Sequence, residues 1–298
     1  MENILLKGAV TELMGTFDAD EKLDLGMYRA QIDFQMEAGI EGLFCNGLSG
    51  ESLYMTKEEK LSVTKATVEK AKGKLPIIGN IAEMRPCDAR EMLDNYVDLG
   101  VDGICITQPY VFGYGNDAIV KFYCDLAQAT DLPVYIYNAP QTNNTMSPAV
   151  VAKIVNNNDN VIGYKDSTQD IIHLQTLMAS IPEDKHFECV AGSDATIFPT
   201  LTVGGCGIVS LVSAVFPQPI IDVCDAWFAG DVTKAFEAQK RVLEIRTALK
   251  SGPLLSSYKY AASLIGLELG YVRGPLVEPT EAQKAALKEN LLKLGLVK

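Results

Sequence analysis

Short apolar runs alternate with longer stretches in which apolar residues recur at helical spacing, from one end of the chain to the other. The runs at 9–14, 42–46, 76–80, 103–107, 133–137, 161–165, 187–191 and 207–211 are bounded by glycine, proline or polar residues, the pattern of buried strands. Helical patterns fall between them at 25–38, 57–72, 86–99, 117–129 and 147–157. Three segments share one local form: Ala38-Gly39-Ile40-Glu41-Gly42-Leu43, Leu99-Gly100-Val101-Asp102-Gly103-Ile104 and Val203-Gly204-Gly205-Cys206-Gly207-Ile208. In each, a glycine suited to the left-handed helix cap is followed by a second glycine entering an apolar strand. Eight such strand–helix units predict an α/β fold, a parallel (β/α)8 TIM barrel. Further helical patterns follow at 218–228, 231–250, 256–265 and 280–294. The first closes the barrel, and the others predict a C-terminal helical extension. The expected division is a catalytic barrel over 1–228 and a helical subdomain over 229–298.

The stretch from Pro133 to Thr168 carries the candidate chemistry. Its two strands flank one helix, so they lie parallel and open on the same face. One ends in Tyr137 and the other in Lys165, which places a phenol beside an amine. Alternation predicts that Val161, Gly163 and Lys165 share a strand face, with Gly163 leaving room beneath the amine. A lysine at the mouth of an apolar strand is partly desolvated, and desolvation favours the neutral, nucleophilic amine. Read without its neighbours, Lys165 is a solvated strand-end residue and Tyr137 a core tyrosine.

Composition narrows the field. The chain has 298 residues, of which 48% are hydrophobic, enough for one large core. A formal net charge of −12 disfavours nucleic acid as a partner. An anionic substrate would need local N–H donors or cations to overcome that field. The seven cysteines are odd in number and form no C-x-x-C pair, which predicts free thiols in a reducing compartment. No signal-peptide pattern and no run of ~18 apolar residues occurs, so the expectation is a cytoplasmic protein without a membrane partner. The two histidines, His173 and His186, lie in no metal-binding spacing, so no metal is expected.

Three motifs then resemble one family. Tyr137-Asn138-Ala139-Pro140 and Gly163-Tyr164-Lys165-Asp166-Ser167-Thr168 are similar to the tyrosine and lysine motifs of the dihydrodipicolinate synthase/N-acetylneuraminate lyase family. Gly47-Leu48-Ser49-Gly50-Glu51 resembles its carboxylate-binding loop, and the similarity runs from about Gly8 to the C-terminus. The resemblance implies a class I lyase without a cofactor. Lys165 would form a Schiff base with a small-molecule 2-oxo acid, and Tyr137 would act as acid and base. Gly47, Leu48 and Ser49 would hold the substrate carboxylate, and Val209 would border the bound carbons. It also implies a homo-oligomer, a tetramer or a dimer. On the residues alone, the loop is open to a second reading as a turn before the helix capped by Thr56.

The chain departs from the family at several positions. Leu48 stands where a loop hydroxyl is usual, and Val111 where a tyrosine follows the fourth strand. Thr142 replaces the arginine that holds the aldehyde's carboxylate in dihydrodipicolinate synthases. Asp194-Ala195 replaces the Asp-Glu of sialic acid lyases, and Gly15-Thr16-Phe17 the Thr-Pro-Phe near the first strand. These changes favour a 2-keto-3-deoxy sugar acid or similar 2-oxo acid over aspartate semialdehyde or sialic acid. N-acetylneuraminate lyase and dihydrodipicolinate synthase activities stand as alternatives, and a non-catalytic 2-oxo-acid sensor as a reading of another class. Asp166 points to the opposite strand face from Lys165 and is given no role.

Overall fold

A computed structural model describes residues 4–298. The eight strands close into one parallel barrel in sequence order, β8 pairing back onto β1. They are β1 (Gly8–Glu12), β2 (Gly42–Cys45), β3 (Ile77–Ile81), β4 (Gly103–Thr107), β5 (Val134–Asn138), β6 (Val161–Asp166), β7 (Glu188–Ala191) and β8 (Gly207–Ser210). The surrounding helices are α1 (Leu25–Glu37), α2 (Lys57–Ala71), α3 (Pro86–Leu99), α4 (Asn116–Ala127), α5 (Pro148–Asn157), α6 (Ile171–Ser180), α7 (Ile197–Thr202) and α8 (Pro217–Phe228). α9 (Val232–Leu249), α10 (Leu254–Ser263) and α11 (Glu281–Lys293) form the C-terminal helical extension. All eight expected strands form, each within two residues of its expected ends. α6 and α7 complete the ring; Asp170 caps α6 by accepting from the backbone N–H of Ile172 and His173. The three repeated glycines adopt the left-handed conformation, with φ of 81° at Gly39, 84° at Gly100 and 94° at Gly204.

Apolar side chains divide into two clusters. The larger fills the space between strands and helices. The smaller lies inside the barrel and includes Leu6, Val10, Phe44, Cys105, Tyr135, Tyr137, Val190 and Val209. Each fully buried aliphatic side chain contributes ~1.5–3 kcal/mol. The seven cysteines are free; Cys45, Cys105, Cys189 and Cys224 are buried, whereas Cys206 is only half-buried and Cys87 exposed. Among the described residues, no helix is long and apolar enough to cross a membrane.

One expected detail is corrected. The β5–β6 register shifts between Val134 and Tyr135, so Val134 faces Val161 but Tyr135 faces Gly163. The irregularity breaks the alternation, and Val161 joins the outer cluster instead of sharing the interior face with Lys165. Gly163 does face inward, but the room it leaves is filled. A Cβ there would lie 2.3 Å from the Tyr135 ring and 2.8 Å from the Glu188 carbonyl oxygen. The ring cannot easily retreat, because its hydroxyl donates to Glu188 at 2.5 Å. The same carboxylate accepts the backbone N–H of Leu5 and Leu6 at 2.9 Å each, closing the floor of the barrel.

The extension braces the loop after β2, among other contacts with the barrel. Lys259 on α10 is 2.6 Å from Glu51, and both side chains are almost wholly buried. Arg273 donates its backbone N–H to Glu51, binds Glu59 through its guanidinium at 2.8 Å, and stacks 4.1 Å from the Phe17 ring centroid. Glu51 sits at φ 60°, so its left-handed turn is held by these contacts. The loop after β2 is thus braced from behind.

Gly163→Ala should lower stability by ~1–3 kcal/mol through overpacking against Tyr135. Urea unfolding checks this; an unchanged midpoint would contradict the packing described.

Candidate active site

The C-terminal ends of the strands gather expected residues and others that were not expected. Tyr137 and Lys165 are direct neighbours in the β5–β6 register. Lys165 is 1% exposed. Its Nζ lies 4.1 Å from the ring centroids of both Phe44 and Tyr137, so two aromatic faces bracket the ammonium. Nζ also donates to Glu12 Oε2 at 3.0 Å. Glu12 ends β1, and its other oxygen, Oε1, accepts the backbone N–H of Ser49 at 2.7 Å and of Gly50 at 3.3 Å.

Glu12 changes two expectations. Of the expected loop residues Gly47, Leu48 and Ser49, only Ser49 presents its N–H to an anion, with Gly50 beside it, and the anion is the protein's own carboxylate. Gly47 is required for this, since a Cβ there would lie 2.1 Å from Glu12 Oε1. The reading of the loop as a mere prelude to α2 is also settled in part: Thr56 does cap α2 in a capping box with Glu59, yet that cap uses none of the loop glycines. The second correction concerns the amine. Burial alone would push the Lys165 pKa down, as the sequence predicts. The Glu12 carboxylate opposes burial, and the pKa is raised. The resting amine is therefore an ammonium in a buried ion pair. Burial also raises the Tyr137 pKa, against the opposing pull of the lysine charge, so the phenol keeps its proton.

Tyr137 has a second partner. Ser167 Oγ lies 3.3 Å from its hydroxyl and 2.9 Å from the Gly192 carbonyl oxygen. Gly192 makes room for this, because a Cβ there would meet Ser167 Oγ at 2.2 Å. Leu48 lacks a hydroxyl, and Val111 projects from the loop after β4, 59% exposed and with φ 79°. A β-branched residue is rarely found in that conformation. The hydroxyl neighbour of Tyr137 is thus Ser167, which stands in the lysine motif itself.

Val209 is buried in the interior cluster with Val190 and Tyr137. Leu48 and Ser49 are half-buried and line a cavity of about 430 Å³ with Tyr54, Gln141 and Leu254 among others. Thr142 does not reach toward it: its hydroxyl donates to the Ala139 carbonyl at 2.8 Å. Asp194 is buried and accepts from the Ser210 hydroxyl, while Ser193 caps the short turn that follows β7. Asp166 lies on the outer strand face, as expected, accepting from Tyr164 at 3.2 Å and from Thr168 at 2.9 Å. Sequence reasoning missed Glu12, and gave no role to Ser167. The signal for Glu12 was its parity with Gly8 and Val10, which places it on the interior face at the reactive end of β1.

The site therefore holds an amine, a phenol and a carboxylate within one dry mouth, with N–H donors fixed at its rim. It has the parts for imine chemistry and for moving a proton beside the imine.

The family model described as the dihydrodipicolinate synthetase family matches residues 5–294. An uncharacterized DapA-like lyase of Halobacterium salinarum is 32% identical over 293 residues, covering 98% of this chain and 95% of the relative. A 4-hydroxy-tetrahydrodipicolinate synthase of Nitratidesulfovibrio vulgaris is 30% identical over 294 residues, covering 98% and 99%. Among solved structures, the E. coli K12 prophage protein YagE, of the dihydrodipicolinic acid synthase family and in complex with pyruvate, superposes with a TM-score of 0.93. It is 28% identical and covers 98% of this chain and 100% of its own. A dihydrodipicolinate synthase variant described as monomeric gives 0.93 at 26% identity, covering 98% of each chain. The chain belongs to the dihydrodipicolinate synthetase family and is, with that family, a lyase built on a (β/α)8 barrel.

Proposed function

We propose that the chain is a class I lyase that makes or breaks a carbon–carbon bond between pyruvate and an aldehyde, through a Schiff base on Lys165. The carrying observation is the seat of that amine: buried at the barrel mouth, 3.0 Å from Glu12 and in register with Tyr137. Condensation of the amine with the ketone of a 2-oxo acid forms an iminium and releases water. The bond between the next two carbons then breaks, its electron pair drawn into the iminium to leave an enamine as the aldehyde departs. Tyr137 relays the proton from the hydroxyl of the departing fragment, accepting it as it passes its own toward Ser167 Oγ, 3.3 Å away. The same path returns a proton to the enamine carbon, and water then hydrolyses the iminium to release pyruvate and the free amine. Gly47, Leu48 and Ser49 supply the rim that receives the substrate carboxylate, and Val209 supplies the floor.

A 2-keto-3-deoxy sugar acid or similar 2-oxo acid is the substrate class we favour. Thr142, folded back onto Ala139, offers no cation to a second carboxylate, and Ala195 offers no acid to a sugar tail. Sialic acid lyase and dihydrodipicolinate synthase activities are the alternatives. A 2-oxo-acid sensor without turnover is the second reading, favoured by the missing hydroxyls at Leu48 and Val111. We assign the catalytic barrel to 1–228 and a bracing helical unit to 229–298, in a cytoplasmic homo-oligomer, dimer or tetramer.

Borohydride with pyruvate should add mass at Lys165 and nowhere else, and Lys165→Ala should abolish both the adduct and pyruvate release from a panel of 2-keto-3-deoxy acids. Residual cleavage by that variant would sink the mechanism. Tyr137→Phe should keep the adduct while turnover falls ~10²–10⁴-fold, the range for losing a proton-transfer group. Normal turnover would remove Tyr137 from its role, and an adduct without turnover in the unaltered chain would favour the sensor. The pH profile has a definite sign. Glu12 holds Lys165 above the ordinary lysine range, so trapping of sub-saturating hydroxyacetone should still rise at about pH 10. In Glu12→Gln burial loses its main opponent, and the rise should move to lower pH; a profile that stays in place contradicts the ion pair.

A further inference from the structure

Glu12 occupies both contacts that a 2-oxo acid would need. Its Oε2 holds Lys165 Nζ at 3.0 Å, and its Oε1 takes the N–H of Ser49 at 2.7 Å and of Gly50 at 3.3 Å. No other carboxylate contacts Lys165 among the described residues. The carboxylate is 4% exposed and has no empty space beside Gly47 into which to slide, since that glycine already lies against it. A second carboxylate entering the same rim would meet this one as a like charge in a dry site, where such repulsion is strong. An uncharged ketone meets no such competitor, because it asks nothing of the loop.

We infer that Glu12 is the specificity-determining residue of the site: a tethered stand-in for the substrate carboxylate, which a 2-oxo acid must displace from the Ser49 and Gly50 N–H groups before its ketone reaches Lys165. The inference rests on the Schiff-base reading and sharpens it. Glu12 weakens the preference for carbonyl compounds that carry a carboxylate on the reacting carbon, and leaves the reaction of uncharged ketones of similar size less affected. Imine formation itself is unchanged in balance: the lysine ammonium and the ketone give an iminium and one water, and Glu12 ends as it began, a carboxylate.

The test compares two probes on three proteins. Borohydride trapping at Lys165 is measured against concentration for pyruvate and for hydroxyacetone, in the unaltered chain, Glu12→Gln and Glu12→Ala. The readout is the ratio of the two trapping efficiencies, in which any change in the lysine's own reactivity cancels. Both variants should raise the pyruvate-to-hydroxyacetone ratio by about tenfold or more, a modest share of the cost of like charges in an interface. Glutamine keeps the side chain's size, so its result does not depend on tolerance of a cavity. A general loss of packing would weaken both probes together and leave the ratio in place. A smaller rise, no change or a fall in the ratio would overturn the inference while leaving the imine intact. Absence of any adduct with either probe in all three proteins would overturn the imine reading, and the inference with it.

Discussion

A cation buried at the mouth of the barrel is stable only beside an anion, and the Lys165–Glu12 pair meets that need across the barrel interior. The two residues stand 153 positions apart in the chain. Their contact therefore exists only once β1 and β6 belong to the same closed sheet. Breaking one partner of such a pair leaves an uncompensated buried charge, a loss of ~3–5 kcal/mol. The loop after β2 wraps onto the same carboxylate through Ser49 and Gly50, and Gly47 permits the approach. The amine, its counter-ion and the anion-binding rim form one unit.

A second buried pair holds that unit from the far side. Lys259 and Glu51 join α10 to the loop, and Arg273 adds bonds to Glu51 and Glu59. The extension therefore acts on the site through the backbone of the loop. Tyr137 is positioned by the sheet itself, in register with Lys165, and Ser167 reaches its hydroxyl because Gly192 has no side chain.

The strands were legible because buried parallel strands read as short apolar runs, and glycine marked the turns that enter three of them. The Lys165–Tyr137 neighbourhood was legible for a related reason: one helix separates their strands, so pairing follows from local order. Glu12 was not. An acid near the end of an apolar run reads like any polar strand terminus, and its partner lies half the chain away. The raised pKa of Lys165 follows from that omission, since burial was visible in the sequence and the compensating charge was not. Val161 was misplaced for a different cause, a register shift that leaves no mark in the pattern of apolar residues. Ser167 stood in a recognised motif, but its reach toward Tyr137 depends on space left by Gly192, which only the fold reveals.

The most direct measurement is a crystal structure of the protein after borohydride reduction with pyruvate, compared with the ligand-free protein. Two features of the density decide it: the bond at Lys165 Nζ, and the group that accepts the Ser49 and Gly50 N–H bonds. The account predicts a covalent bond from Nζ to the former ketone carbon, with the adduct's carboxylate on the loop and Glu12 turned away from it. An unmodified Lys165, or an adduct whose carboxylate lies elsewhere while Glu12 keeps the loop, would contradict it.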